Sequence, residues 1–159
     1  MEISQFFPFL LFLHVLGAIL AFGPTFAFSI MGAMAGREPQ HVNFSARQIA
    51  AIDSKLVYPL AIFQGITGLL LILSGKIDIL SKVWLEIGIV LYAIALTYSL
   101  TVQRNALHHV IELTSTPPAP GSPPSPEIPA TVKKIQRGGM FLGLMIVVIV
   151  FLMAVKPTF

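Results

Sequence analysis

Four unbroken apolar runs constrain this chain more than any other feature. They cover about residues 6–35, 56–74, 83–100 and 139–155, and none carries more than a few polar side chains. The first holds only His14, Thr25 and Ser29 as polar groups; as a helix it would be roughly 45 Å long, more than the ~30 Å hydrocarbon core of a bilayer needs. The predicted consequence is tilt or protrusion, with Pro24 as a point of kinking. The other three runs are each long enough to cross once. Apolar residues continue around each predicted helix instead of alternating, which excludes transmembrane strands. The expected fold is therefore all-α: a polytopic membrane protein built as a four-transmembrane-helix bundle in a single domain.

Composition supports a bilayer setting. Of the 159 residues, 55% are apolar and only 11% charged, far below the quarter or so typical of water-soluble domains. The chain has no Cys, so disulfide scaffolds, thiol nucleophiles, iron–sulfur clusters and thiolate zinc sites are excluded. Ala33-Met34-Ala35 imitates a signal-peptidase site. The preceding segment, however, has Glu2 and no Lys or Arg, and its apolar stretch is about twice a normal signal core, so it is read as a retained span.

The formal charge of +3 is unevenly placed and speaks to topology, not to nucleic acid. Lys76, Lys82 and Lys156 fall on one side of the spans; Arg37, Arg47, Lys55, Arg104, Lys133, Lys134 and Arg137 fall on the other. The positive-inside rule then puts both termini outside a bacterial inner membrane and both long connections in the cytoplasm. Trp84 with Phe6 and Phe7 would mark the outer interface, and Tyr58 with Tyr98 the inner one.

In the first connection, Ser45 is expected as an N-cap with Gln48 as its capping-box partner and Phe44 against Ile49 as a hydrophobic staple. The stretch reads either as a short surface helix ending where Pro59 redirects the chain, or as an N-terminal extension of the second span. The third span should continue through Gln103, Arg104, Asn105 and His108 to Glu112. Residues 114–130 then hold seven prolines and read as a flexible cytoplasmic linker, tethering the fourth span loosely. Their overlapping P-x-x-P spacings also match polyproline ligands, but no basic residue flanks them closely, so the linker reading is kept.

Small residues let helix backbones approach in lipid. Gly17 with Ala21, Gly32 with Gly36, and Gly139 with Gly143 are small-xxx-small pairs, and Gly65 with Gly68 adds a patch on the second span. Gly139 and Gly143 are the expected docking face of the fourth span. The same faces allow dimerisation.

Few side chains within the spans carry chemistry. His14, Gln64, Thr67 and Glu86 are the intramembrane polar candidates, and such groups are functional-site hypotheses by default. His14, Thr67 and Glu86 fall at similar depths, within about a helical turn. His14 has a structural reading, a hydrogen-bonded buried imidazole, and a functional one, an axial haem ligand with Gly17 leaving room for the macrocycle. Glu86 either reaches the outer interface or pairs with His14 as a proton relay. His108 and Glu112 share a helix face, with His41 on the neighbouring connection; this reads as a solvated helix end ahead of a divalent-metal site. No serine triad, phosphate loop or paired catalytic carboxylates occur.

The run Phe12-Leu13-His14-Val15-Leu16-Gly17-Ala18 followed by Gly23-Pro24-Thr25-Phe26, together with Tyr58-Pro59 and Gln64-Gly65-Ile66-Thr67-Gly68, resembles a family of bacterial predicted integral membrane proteins of unknown function. The resemblance spans the chain and implies fold and location. His14-Val15-Leu16-Gly17 is also distantly similar to the first helix of copper-resistance D-type proteins and haem-dependent protoporphyrinogen oxidases, which implies metal or haem chemistry at His14. The W-x-G that follows there is replaced by Ala21-Phe22-Gly23-Pro24.

The expected function is a non-enzymatic accessory or interaction component of the membrane, surrounded by lipid and partnered by another membrane protein or a second copy. The alternatives are a haem- or metal-binding redox protein using His14, and a small transport or proton-relay unit through His14, Gln64 and Glu86.

Overall fold

A computed structural model describes residues 3–116 and 125–158. Six α-helices account for most of it: α1 (Phe7–Arg37), α2 (Val42–Ile52), α3 (Tyr58–Ser74), α4 (Val83–Tyr98), α5 (Arg104–Leu113) and α6 (Glu127–Val155). A π-helical turn, Asp53–Val57, joins α2 to α3, and a second, Ser99–Gln103, joins α4 to α5. The result is four continuous rods, Phe7–Arg37, Pro39–Ser74, Val83–Leu113 and Glu127–Val155, each long and apolar enough to cross a bilayer.

The first π turn explains how the second rod stays continuous. Pro59 has no N–H and its ring crowds the carbonyl four residues back, which falls at Lys55 inside the turn. The wider turn absorbs both effects. Pro59 therefore does not redirect the chain, and of the two readings the N-terminal extension is the one observed. The expected cap is also displaced. The 3-10 turn Pro39–His41 runs straight into α2, so Ser45 lies inside the helix with its hydroxyl directed to the Met31 carbonyl at 3.5 Å, and Gln48 is exposed.

Within the bundle α1 packs most extensively on α3, and α4 on α6; contact between α1 and α6 joins the two pairs. The backbones of α3 and α4 stay apart although they are consecutive in sequence, and Tyr92 reaches across, donating to the Ala61 carbonyl at 2.7 Å. A Cβ on Gly65 would lie 2.7 Å from that hydroxyl, so only glycine leaves room for the bridge.

The small-residue expectations divide. Gly17 and Ala21 are buried in the α1–α3 seam. Gly139 and Gly143 do not dock α6: nothing lies within 4 Å of a Cβ at Gly143, and only the Gln103 Nε2 reaches 4.0 Å at Gly139. The buried residue is Gly138, over which Gln103 and Tyr98 lie, and Gln103 donates to the Ile135 carbonyl at 3.0 Å. A single residue is about 100° of helix rotation, enough to turn a neighbouring glycine out of the seam. Gly88 of α4, beneath the tip of Met153, is the other close approach to α6. A Cβ at Gly32 or Gly36 would likewise meet nothing within 4 Å.

Two ends can be distinguished. At one, Lys156 lies over the Trp84 ring at 5.7 Å and Phe7 packs beside Gly75. At the other, α2, α5 and the first turns of α6 form a cap with its own core. Ala46, Leu107 and Val110 are buried there, with Ile49, Ile128 and Ile135 packed around them. Asn43 ties α2 to α5 through the Ile111 carbonyl (3.0 Å) and the Thr114 hydroxyl (2.9 Å). The amphipathic faces of α2 and α5 thus bury against protein. The middle of the 114–130 segment, residues 117–124, lies outside the described residues. Its last part is helical, because α6 begins at Glu127, and Glu127 approaches His109 at 3.5 Å.

Candidate functional site

The polar centre of the bundle is a three-residue cluster in the α1–α3 seam. His14 sits two turns into α1; Gln64 and Thr67 lie one turn apart on α3 and both face inward. The helical spacing i, i+3 places the latter two on one face. His14 Nδ1 lies 2.9 Å from Thr67 Oγ1, and His14 Nε2 lies 3.0 Å from Gln64 Nε2.

The amide nitrogen can only donate, so His14 Nε2 accepts from it and the ring proton resides on Nδ1, donating to Thr67. Thr67 keeps its own proton for the Phe63 and Gln64 carbonyls, both at 3.1 Å. The imidazole is therefore satisfied at both nitrogens without a charge, as a low-dielectric setting requires. Gly68 brings α3 close, since a Cβ there would sit 3.2 Å from His14 Cε1. Gly17 does the same from α1, where a Cβ would lie 2.9 Å from Gln64 Oε1. That oxygen is buried and has no hydrogen-bond partner.

This arrangement does not fit a haem. Axial ligation needs a ring nitrogen lone pair facing open space, and Gln64 occupies the only one His14 has. The space beside Gly17 that was to admit a macrocycle is filled by Gln64 and Phe63. Glu86 is half-buried in the first turn of α4, and His14 takes both its partners from α3. A His14–Glu86 relay is therefore not assembled. His41 pairs with Glu38 at 3.6 Å, His108 is exposed, and no group of three metal-ligating side chains comes together among the described residues.

Three buried groups were not anticipated: Asp53, Tyr58 and Ser74. Their signal was in the sequence. Asp53, Val57, Ala61, Gln64, Thr67, Leu71 and Ser74 recur every three or four residues, and all are buried. In a bilayer the small and polar stripe turns inward and the aliphatic one faces lipid.

The comparison with known families is decisive for fold and location. A family model described as "Predicted integral membrane protein (DUF2269)" matches residues 8–157. The chain belongs to this family. No curated protein and no solved structure matches it. Membership makes this an integral membrane protein whose four apolar helices lie in lipid, and the DUF2269 description assigns no activity. The match covers both His14 in α1 and Gln64 and Thr67 in α3.

Proposed function

We propose that this DUF2269 protein is a non-enzymatic accessory component of the bacterial inner membrane that holds a partner membrane protein against its first helix. The observation that carries this reading is the pair Gly32 and Gly36, which face away from the bundle with nothing within 4 Å of either Cβ position. A small-xxx-small face on the outside of a bundle lets a second helix come to backbone contact, and no neighbour among the described residues uses it. The hydrogen-bonded His14–Gln64–Thr67 cluster supports the same reading, since it spends the intramembrane polar groups on helix association. The charge distribution supports termini outside and the α2–α5 cap in the cytoplasm.

A photo-crosslinking residue in place of the exposed Ser29, one turn from Gly32 on the same helix face, tests the interface in intact cells. The expected result is one discrete adduct, lost in Gly32→Ile/Gly36→Ile while the bundle stays folded. An adduct the size of two copies would identify the partner as the protein itself; lipid adducts alone would overturn the proposal. Alkaline phosphatase fused to the C-terminus should be active if that end is outside.

A further inference from the structure

A second polar site lies at the cap end, between the first π turn and the start of α5. Asp53 opens the first turn, and Arg104 follows the second. π turns recur at functional sites because they widen the helix and re-aim the side chains around them. Here the first of them borders a cleft of about 280 Å³ lined by Asp53, Ser54, Lys55, Tyr58, Arg104 and His108 among others. That is slightly below the roughly 300–1,000 Å³ of pockets enclosing drug-sized ligands, and suits a headgroup-sized one.

One of these side chains lacks an ion-pair partner and another lacks a hydrogen-bond partner. Asp53 is only 7% exposed, yet it takes part in neither of the ion pairs formed among the described residues. Tyr58 is 9% exposed and its hydroxyl is buried without a hydrogen-bond partner, although Asp53 and Ser99 are both near. Buried carboxylates and hydroxyls carry a desolvation cost that a suitable partner removes. Lys55 and Arg104 are exposed at the rim, with donors free for an anion.

The combination selects for a zwitterion. A lone phosphate would be repelled by Asp53 at the floor of the cleft. A divalent cation takes about six or more oxygen ligands, and this cleft offers one carboxylate. A trimethylammonium group has no N–H to give to Asp53 and Tyr58, whereas a primary ammonium has three. The cleft also sits beside Leu56, where the second apolar run begins and the headgroup region of a bilayer is reached.

We propose that this cleft binds a phosphoethanolamine group, with its ammonium on Asp53 and Tyr58 and its phosphate on Arg104 and Lys55. The proposal is independent of any protein partner at Gly32 and Gly36. The group can come from phosphatidylethanolamine in the membrane or from a soluble phosphoethanolamine ester.

The test is thermal unfolding of the delipidated full chain in detergent. Dioleoyl-phosphatidylethanolamine, -phosphatidylcholine or -phosphatidylglycerol is added in one set of samples, and glycerophosphoethanolamine or glycerophosphocholine in another. Phosphatidylethanolamine should raise the midpoint by roughly 2–8 °C above the other two lipids. Asp53→Asn and Tyr58→Phe should each remove this difference while keeping the phosphatidylcholine midpoint. Binding would weaken about tenfold, as expected on losing a charge-assisted hydrogen bond. Protection by glycerophosphoethanolamine as well would assign a soluble source, and protection by the lipid alone a membrane one. Equal midpoints with ethanolamine and choline forms would overturn the proposal, as would equal protection by phosphatidylglycerol. If Asp53→Asn fails to fold, Tyr58→Phe decides: retention of the ethanolamine preference there refutes the site.

Discussion

His14 Nδ1 lies 2.9 Å from the Thr67 hydroxyl, and this contact sets the register of α1 against α3. A shift of one residue along either helix would separate the pair by about 1.5 Å and rotate it by about 100°. The imidazole would then face lipid or the Gln64 amide would lose its acceptor. In hydrocarbon neither outcome has water to compensate it. A register specified this way is steeper than one specified by aliphatic packing alone.

Thr67→Val should destabilise the bundle by about 0.6–1.7 kcal/mol, the range found for interhelical hydrogen bonds in membranes. His14→Ala should cost more, because it removes the acceptor of the Gln64 amide as well as the donor to Thr67. A double-mutant cycle on unfolding in mixed micelles measures the coupling, and additivity within about 0.3 kcal/mol would show that the contact carries no energy.

Purified from cells supplied with haem precursor, the protein should show no Soret band, and His14→Ala should be spectrally identical to it. The lone pair on His14 Nε2 already accepts from Gln64 at 3.0 Å. A stoichiometric band lost in His14→Ala would mean that Gln64 swings away and that the site opens.

Gly138→Val and Gly139→Val should differ sharply although they are adjacent. The first drives a side chain into Gln103 and Tyr98, where Gln103 is held by its bond to the Ile135 carbonyl, and overpacking of this kind costs about 1–3 kcal/mol. The second points toward open space and should leave the unfolding midpoint within about a degree of wild type. Equal effects would place the α6 interface elsewhere.

Val110 is 1% exposed at the centre of the cap. Val110→Ala should cost about 1–3 kcal/mol and act locally, loosening α5 from α2 and α6. Hydrogen exchange should accelerate over 104–113 while the α1–α3 seam keeps its protection. Uniform acceleration would mean that cap and bundle unfold as one unit.

The elements that were legible in the sequence are those set by length and apolarity. The four crossings and the continuation of the third rod to Leu113 follow from local composition. His14 and Thr67 could be placed at one depth because depth is residues counted along a rod. Their meeting could not be derived, because rotation about the helix axis leaves no trace in an evenly apolar segment, and α1 is apolar on every side.

The sequence by itself determined an all-helical chain that crosses a bilayer four times, since backbone groups in lipid must be satisfied within each segment. Only the tertiary structure decided which helices pair. It put α3 on α1 and α6 on α4, left α3 and α4 to be bridged by Tyr92, and chose Gly138 over Gly139. It also turned the faces of α2 and α5 onto a protein core and buried Asp53 beside Tyr58. The physical reason is that lipid makes nearly every aliphatic face equivalent. Packing is then selected by a few small and polar residues, whose effect depends on what stands opposite them.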